Sequence, residues 1–427
     1  MNRRAFYACV FFCLLVLGLV IFTPFPRSPS TPADDAEDKA AMAIEKLGGR
    51  VTRDAKIKGN PVLHASLVYS KITDDELAEL AGLKNLQELD LFGTKVTDAG
   101  LKHLQTLQNL QTLNLTFTKV TDAGVKDILA LKNLHTLGLG ETKLTGVGIK
   151  DLCGLQHLHT LTLDGAALTD DGSKELAELK GLRTLVLRNT PITDGGLAGL
   201  GSLQNLEMLD LRAVKVTNAG LKHLGDLKSL HTLDLSDTKV TDAGLIELRS
   251  LQDLQHLVLF NTSLTGTGLK ELGNLPKLKR LILQQTGVTD TSLKELRNLK
   301  NLEELNVSAT KVTDIGLKDL RELKTLHILD LRGLKVTDEG LKNLHELKNL
   351  RRLALSHTQV TNAGLKELRE LTNLHSLGLG NTKVTDAGLK DLYGFKDLQE
   401  LDLSQTEVTD AGLKELSVAL PKLTINR

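Results

Sequence analysis

The 427-residue chain is poor in the residues that usually build a large core or a covalent framework. Aromatic residues make up 3% of it, tryptophan is absent, and only three cysteines are present. A core without large rings has to be built from leucine, valine and isoleucine, which can pack in identical layers. The chain also lacks an excess of charge, because 53 basic residues balance 53 acidic ones. This balance predicts no nucleic-acid partner, since such a partner is usually bound by a basic surface.

The cysteines exclude a fold held together by disulfides. Cys9 and Cys13 lie in an apolar N-terminal segment, so Cys153 is the one thiol in the rest of the chain. A single thiol forms no intramolecular disulfide. No base lies near Cys153 in the sequence, so we interpret it as a small half-buried residue rather than as a nucleophile.

Residues 1–22 have the composition of a membrane-targeting segment. An uncharged run of 18 residues extends from Ala5 to Phe22 and follows Arg3 and Arg4. As a helix it would be about 27 Å long, close to the roughly 30 Å hydrocarbon core of a bilayer, with the arginines on the cytoplasmic side. We therefore expect a single-pass signal anchor that leaves the remaining chain extracytoplasmic, in the periplasm or at the cell surface. A cleaved signal peptide, and hence secretion, is the alternative.

Two short regions connect this segment to the main part of the chain. Residues 23–40 are rich in Pro, Ser and Asp, which predicts a disordered linker. Residues 41–70 predict an N-terminal cap. This cap combines a short helix, written DAEDKAAMAIEKLGG and ended by Gly48 and Gly49, with an atypical strand that begins at Val62.

Residues 71–420 consist of one unit that is repeated about 15 times. A threonine stands at every twenty-fourth position from Thr73 to Thr409, without an insertion or a deletion. The aligned copies read L-x-x-L-x-L-x-x-T-x-V-T-D-x-G-L-x-x-L-x-x-L. Leucines two apart predict a strand with one buried face, and leucines three apart predict a short helix. Since no copy can bury its apolar face alone, the copies must stack into a solenoid, and residues 421–427 are expected to add an end strand.

This pattern resembles the leucine-rich repeat, and its V/I-T-D-x-G-L tail resembles the cysteine-containing subclass found in F-box proteins. The chain differs from that subclass in one column, where 11 of 15 copies have Thr instead of Asn or Cys. The resemblance implies an α/β solenoid with a parallel sheet on a curved inner wall and short helices on the outer face. We expect each Thr hydroxyl in this column to bond a backbone group, because a buried hydroxyl is costly unless it is paired.

Two more columns lie at the start of each predicted helix. Asp follows the invariant Thr in 11 of 15 copies, and we interpret this pair as a helix cap. A calcium site is disfavoured, since Ca²⁺ needs about six to eight oxygens and the column supplies one carboxylate per copy. Gly stands three residues after that Thr in 13 of 15 copies. Because glycine costs a helix about 1 kcal/mol relative to alanine, we expect crowding against the adjacent copy to require it.

No group of residues predicts catalysis. His135 and His159 share a column, but no further ligand column accompanies them to form a metal site. Asp210 and Asp234 share another column and could in principle hydrolyse a glycoside, but a solenoid wall has no deep cleft. We therefore expect a protein that is not an enzyme and that needs no cofactor and no metal.

Strand positions that point to the predicted inner wall vary, whereas the frame around them is constant. This contrast predicts that the wall binds the partner. The predicted contact patch joins apolar to basic side chains, as protein-binding hot spots do. Its residues are His256, Val258, Phe260, Arg280 and Ile282, flanked by Val186, Arg188 and Arg332. We expect a monomer that binds a protein, or alternatively a glycan, and that contacts the membrane only through its N-terminal helix.

The sequence therefore supports one leading function and one alternative. The leading function is a non-enzymatic interaction module that is tethered to the membrane and exposed outside the cytoplasm. The alternative, implied by the subclass resemblance, is an intracellular adaptor or effector that recruits target proteins, in the F-box case for ubiquitin ligation. The apolar N-terminal run favours the first, and so does the lack of an F-box-like helical segment ahead of the repeats.

Overall fold

The structure, a computed structural model, describes residues 32–427, with side chains from residue 36 onward. The predicted anchor or signal peptide at residues 1–22 and the first part of the predicted linker lie outside the described residues. Within residues 32–427, no helix combines the length and the apolar character needed to cross a membrane.

The first described element is helix α1, Pro32–Lys46, which begins inside the segment whose composition predicts a linker. Residues 32–40 are helical, so the prediction of a disordered linker is wrong for them, whereas the overlapping prediction of a helix in DAEDKAAMAIEKLGG agrees with the structure. Ala40, Ala41 and Ile44 are buried in the hydrophobic core. Burial of an apolar stripe stabilises a helix even where local composition does not favour one, and composition alone does not reveal that burial.

Helix α1 and an antiparallel pair of strands cover the N-terminal end of the core. Strand β1 (Arg50–Arg53) pairs with β2 (Val62–Ser66). The buried carboxylate of Glu37 accepts a hydrogen bond of 2.7 Å from the backbone N–H of Val62 and lies 3.4 Å from the guanidinium of Arg53. These bonds fix the helix to the sheet at the point where the repeats begin.

Strands β2 to β17 form one parallel sheet in sequence order. The further strands are β3 Glu88–Asp90, β4 Thr112–Asn114, β5 Thr136–Gly138, β6 Thr160–Thr162, β7 Thr184–Val186, β8 Met208–Asp210, β9 Thr232–Asp234, β10 His256–Val258, β11 Arg280–Ile282, β12 Glu304–Asn306, β13 Ile328–Asp330, β14 Arg352–Ala354, β15 Ser376–Gly378, β16 Glu400–Asp402 and β17 Thr424–Asn426. Each strand pairs with the next at a shift of 24 residues, so Leu89 lies beside Leu113. The predicted solenoid with a parallel sheet is confirmed.

Each of the strands β2 to β16 is followed by a turn and one or two short helices, and we call this unit a layer. The further α-helices are α2 Asp74–Leu77, α3 Asp98–Leu104, α4 Val125–Ile128, α5 Asp170–Lys174, α6 Asn218–Leu221, α7 Asp290–Leu293, α8 Asp314–Leu317, α9 Asp338–Leu341, α10 Asn362–Glu367, α11 Asp386–Leu389 and α12 Asp410–Ala419. The 3₁₀ helices are Ala78–Gly82, Asp122–Gly124, Ile149–Gly154, Glu175–Glu178, Asp194–Leu197, Leu200–Ser202, Lys222–Leu224, Asp242–Ser250, Leu269–Asn274, Lys294–Asn298, Leu320–Glu322, Lys342–Leu344 and Lys390–Leu392. Leucines of strands and helices together form one continuous core from Ala40 to Leu420.

The threonine hydroxyls form the backbone bonds that the sequence predicts. Thr94 donates through Oγ1 to the carbonyl of Leu91 at 2.8 Å. All eleven threonines of this column make the same bond to the residue three positions earlier, at 2.6–2.8 Å. The bond closes the turn after each strand, so the expectation of a paired hydroxyl is confirmed.

The aspartate column joins neighbouring layers. The carboxylate of Asp74 accepts hydrogen bonds from the N–H of Thr97 (2.8 Å) and from its hydroxyl (2.6 Å) in the next layer. The same two bonds recur for each of the ten aspartates of this column that are followed by another repeat. Thr97 also caps its own helix by accepting from the N–H of Ala99. Capping is therefore the role of the threonine, and the carboxylate serves the following layer.

The glycine column leaves space for these carboxylates. A methyl group on Gly220 would overlap the carboxylate oxygen of Asp194 in the preceding layer. The expectation that the adjacent layer requires glycine is thereby confirmed. Ser292 replaces glycine in this column and supports the same explanation. The preceding layer has Gly266 at the aspartate position, so no carboxylate lies where the serine side chain extends.

Each turn after a strand holds one residue in the left-handed region of backbone conformation. From Gly93 to Gln405, all fourteen residues at this position have φ between 50° and 71°, and only three of them are glycine. The conformation directs the N–H toward the next layer. Ala309, for example, donates to the carbonyl of Arg332 at 2.9 Å. The backbone hydrogen bonds between layers thus continue past the end of each strand, and the residue with positive φ is locally strained.

We predict that Gly220→Ala destabilises the protein by roughly 1–3 kcal/mol, because the new methyl overlaps the carboxylate of Asp194. Urea unfolding measures this. Gly394→Ala is the matched control, since no atom lies within 4 Å of the position of its added methyl. The clash interpretation also requires that Gly220→Ala cost less when Asp194 is replaced by Gly. An equal cost in both backgrounds would contradict it.

A second prediction concerns the left-handed position. Ala309→Gly should raise the free energy of unfolding by roughly 1 kcal/mol, because glycine adopts positive φ without a Cβ penalty. Gly333→Ala should lower it by a similar amount. Its added methyl would approach no atom closer than 4.0 Å, so the change tests backbone conformation alone. Changes of the same sign in the two variants would show that strain does not govern this position.

Candidate partner-binding surface

The strands present one row of side chains to the core and the others away from it. Leu89 at the centre of β3 is buried, whereas Glu88 and Asp90 on either side are half-buried. We call the surface formed by these outward strand positions, and by the residue two positions after each strand, the sheet face. It corresponds to the predicted inner wall. Parallel pairing sets neighbouring side chains of each row roughly 4.8 Å apart, so each one contacts the next.

The structure places all eight predicted contact residues on the sheet face, but exposes them unequally. His256, Val258, Phe260 and Arg280 are half-buried and adjacent, because β10 pairs with β11. Arg332 is exposed. Val186, Arg188 and Ile282 expose only 7%, 7% and 6% of their surface.

The expectation that Ile282 faces solvent is therefore wrong. In its row it lies between Val258 and Asn306 in direct register. Side chains of this size at strand spacing cover one another, which an exposed column of a sequence pattern does not show. The contiguous part of the predicted patch is the half-buried group on β10 and at the start of β11.

Charge in this group is partly compensated. The Nε of Arg280 lies 2.8 Å from the carboxylate of Glu304 in the next layer. Burial and the nearby charge of Arg280 lower the pKa of His256, which favours its neutral imidazole. The group therefore presents the apolar ring of Phe260 and the aliphatic side chain of Val258 beside a paired guanidinium.

A charged network in the neighbouring layers escaped the sequence analysis. Arg212 binds Asp210 through two nitrogens, at 2.6 and 3.1 Å, and its Nε lies 3.1 Å from the carboxylate of Asp234. Asp210 exposes 1% of its surface. Burial tends to lower the pKa of the Arg212 guanidinium, but its hydrogen bond to Asp210 and the charges of both carboxylates outweigh this and raise it. Burial, together with the charge of Asp210, raises the pKa of Asp234.

The network continues toward the N-terminus through buried Asp164 and Arg188. Burial raises the pKa of Asp164, and the charge of Arg188 opposes that rise. The sequence does contain one sign of this network, the tripeptide D-L-R that begins at Asp210. Side chains two positions apart at the end of a strand lie on the same face, so the aspartate and the arginine can contact each other. The layers between Val186 and Val258 are thus ionic, and they separate the flanking residues Val186 and Arg188 from the apolar group.

The aspartates considered for glycoside hydrolysis have a structural role. Asp90 accepts the backbone N–H of Phe92 at 3.0 Å, two residues ahead. The other four members of the column, Asp210, Asp234, Asp330 and Asp402, do the same at 2.9–3.0 Å. This side-chain turn bends the chain out of the strand.

Two ring clusters lie toward the N-terminal end of the repeats. Tyr69, Phe92 and Phe117 make edge-to-face contacts with centroids 5.2 and 5.3 Å apart. His135 stacks on His157 at 5.7 Å and lies 5.8 Å from His159. In the part of the chain that the structure describes, no three His, Cys, Asp or Glu side chains are arranged to hold a metal ion.

Comparison with known proteins identifies the repeats. Five segments, residues 82–104, 106–129, 226–248, 346–368 and 396–417, match the family described as Leucine Rich repeat. The chain therefore contains leucine-rich repeats, as the resemblance implied. No curated protein matches it in sequence.

Solved structures share the fold. A leucine-rich-repeat protein of Leptospira interrogans is 28% identical and has a TM-score of 0.60, with 82% of this chain and 92% of that one covered. InlJ of Listeria monocytogenes, whose functional domain includes a cysteine ladder, is 18% identical over 91% of this chain and 78% of its own, with a TM-score of 0.54. TLR13 in its complex with ssRNA13 is 17% identical over 83% and 59%, with a TM-score of 0.54. The last two likenesses concern the fold alone.

We predict that Arg212→Gln destabilises the protein by roughly 3 kcal/mol at neutral pH, because it leaves the buried carboxylate of Asp210 without its partner. Arg332→Gln is the matched control. Arg332 binds Asp330 with the same geometry, but its side chain is 52% exposed against 29% for Arg212, so the loss should be at most about 1 kcal/mol. Urea unfolding of both variants tests this, and equal losses would show that burial of the network is not decisive.

Proposed function

We propose that this chain of leucine-rich repeats is a non-enzymatic interaction module that binds a protein partner through the sheet face of β10 and β11. Leucine-rich-repeat proteins are generally protein-interaction scaffolds without enzymatic activity, which supports the proposal at the level of the fold. The observation that carries it is the group of Val258, Phe260, His256 and Arg280. These residues are adjacent and half-buried, and β10 pairs with a strand on each side.

The chemistry of this group fits a protein surface. Aromatic and arginine side chains contribute most to protein interfaces when neighbouring contacts exclude water from them. Phe260 supplies a ring, Val258 supplies aliphatic surface, and Arg280 and His256 supply hydrogen-bond donors at one edge. A rigid sheet loses little conformational freedom on binding, which favours affinity. A glycan is the alternative ligand, and the binding experiment below separates the two.

The second part of the proposal is the location of the module. We infer that the chain is tethered to a membrane by residues 1–22 and that its repeats lie outside the cytoplasm. The uncharged run from Ala5 to Phe22 after two arginines supports this. The alternative is an intracellular adaptor or effector, which rests on the resemblance of the V/I-T-D-x-G-L tail to the F-box subclass. Protease treatment of spheroplasts, in which the cytoplasmic membrane is intact and the periplasmic side is accessible, decides between them, since extracytoplasmic repeats are digested and cytoplasmic repeats are protected.

We predict that Phe260→Ala in the full chain weakens binding of the protein partner by about 30-fold, as expected for a hot spot of roughly 2 kcal/mol. The partner is first identified by affinity capture from a membrane extract, and its affinity is then measured by titration calorimetry. Ile315→Ala is the matched control, because Ile315 is an exposed aliphatic residue, with 64% of its surface accessible, on helix α8. Unchanged affinity for Phe260→Ala, or an equal loss in the control, would refute the proposed site. Capture of glycans instead of protein would favour the alternative ligand.

A further inference from the structure

One edge of the solenoid carries a row of lysines that the proposed function does not use. They stand one residue after the turn position that most repeats fill with threonine, in nine of the fifteen repeats, and all are exposed. Their positions are Lys71, Lys95, Lys119, Lys143, Lys215, Lys239, Lys311, Lys335 and Lys383. We call this set the lysine row. Its first four members come from consecutive repeats.

The backbone holds this row at the spacing of a β-sheet. Lys119 donates its N–H to the carbonyl of Val96 in the preceding layer at 2.9 Å, and Lys143 donates to Val120 at 3.1 Å. Such bonds place consecutive members roughly 4.8 Å apart along the edge. The row is therefore a line of ammonium groups with one charge per layer, as regular as the sheet itself.

The lysine row is not neutralised within the protein. None of its nine members forms an ion pair in the part of the chain that the structure describes. Some lysines elsewhere are paired. Lys277 lies 2.7 Å from Asp253, and Lys348 lies 3.0 Å from Glu370, in each case an acid of a neighbouring layer.

The fold does not require lysine in this column. The other six repeats have Ala167, Pro191, Ser263, Gly287, Gln359 and Glu407 at the same position. A line of like charges at strand spacing repels itself and lowers stability. The aspartates three residues further on offset its long-range field, but their carboxylates bond the threonines of the following layer. We therefore expect the row to bind an anion through direct contacts with the ammonium groups rather than to attract it from a distance.

The residue type narrows the chemistry of that anion. The column contains no arginine, so the row offers compact point charges that each contact one anionic group rather than planar forks that bind two oxygens at once. Single-stranded nucleic acids bind where bases stack on accessible aromatic side chains. Of the three rings near the first four lysines, Tyr69 is exposed, Phe117 is half-buried and Phe92 is buried. A linear polyanion with one charged group at regular short intervals fits the row, and a polysaccharide with a carboxylate on each sugar supplies this pattern.

We propose that the lysine row binds a linear acidic polysaccharide that carries one carboxylate on each sugar. The extended sugar chain runs along the edge of the solenoid, perpendicular to the strands, and its carboxylates meet successive ammonium groups. The first four lysines form the main contact, because no layer interrupts them. The sheet face remains free, so a protein partner and the polysaccharide bind at the same time.

The test compares two variants of the full chain that each lose four exposed lysines. In the first, Lys71, Lys95, Lys119 and Lys143 are replaced by Gln. In the matched control, Lys277, Lys300, Lys324 and Lys348 are replaced by Gln. Polygalacturonate of defined length is the probe, titrated by calorimetry at low ionic strength, and circular dichroism checks the fold of both variants. We expect the first variant to bind about 10-fold more weakly or worse, and the control to bind as the unaltered chain does.

Three results would overturn the proposal. The first is the absence of polygalacturonate binding by the unaltered chain. The second is an equal loss in both variants, which would indicate unspecific attraction to positive charge. The third is tighter binding of a single-stranded oligothymidylate than of polygalacturonate, which would make the row a nucleic-acid site. Retained polygalacturonate binding by Phe260→Ala would show that this edge acts independently of the sheet face, and its loss would contradict that independence.

Discussion

The fold depends on one constraint, namely that no layer can bury its own leucines. The strand leucines and helix leucines of each layer become inaccessible only when another layer lies against them, and the result is a single core that runs the length of the repeats. Stacking of this kind demands that every layer have the same height and the same outline. The fixed repeat length of 24 residues and the reuse of small aliphatic side chains are direct consequences.

Several columns of the repeat serve this stacking and are therefore unavailable for function. The aspartate of one layer bonds the threonine of the next, and glycine leaves space for it. An asparagine such as Asn109 donates to the carbonyl of Lys84 in the preceding layer, and five further asparagines do the same in their layers. Side chains that make none of these contacts between layers are found on the sheet face and along the lysine row. Function is therefore to be sought on those two surfaces.

Two layers break the aspartate pattern in an informative way. Gly146 and Gly266, which stand 120 residues apart, replace the aspartate and adopt φ of 106° and 101°. The aspartate of the preceding layer then accepts three backbone N–H groups. Asp242, for example, accepts from Thr265, Gly266 and Gly268. Burial alone would raise the pKa of Asp242, but these bonds and that of the Thr265 hydroxyl lower it, so the carboxylate stays charged. When glycine replaces the aspartate of one layer, the aspartate of the preceding layer thus accepts additional backbone hydrogen bonds.

The sequence predicts whatever is set by periodicity within one repeat. The strand and helix leucines, the bond of Thr94 and the crowding at Gly220 follow from a single aligned copy. Contacts between layers are harder to predict, because the partner of Asp74 lies 23 residues away and no local rule identifies it. Exposure on the sheet face also escapes prediction. Ile282 is covered by neighbours whose size varies from copy to copy.

The two arginine pairs show where copies of one unit acquire different properties. Arg212 and Arg332 stand 120 residues apart in the similar stretches LRAVKVT and LRGLKVT, and each forms the same ion pair with the aspartate two residues before it. Their surroundings differ because the next strand places Asp234 beside Asp210 but Ala354 beside Asp330. One pair thereby becomes part of a buried network, whereas the arginine of the other pair remains exposed. A single substitution on the sheet face thus changes the ion pairing between two layers and leaves the frame intact, which is how a repetitive chain can evolve a specific binding surface.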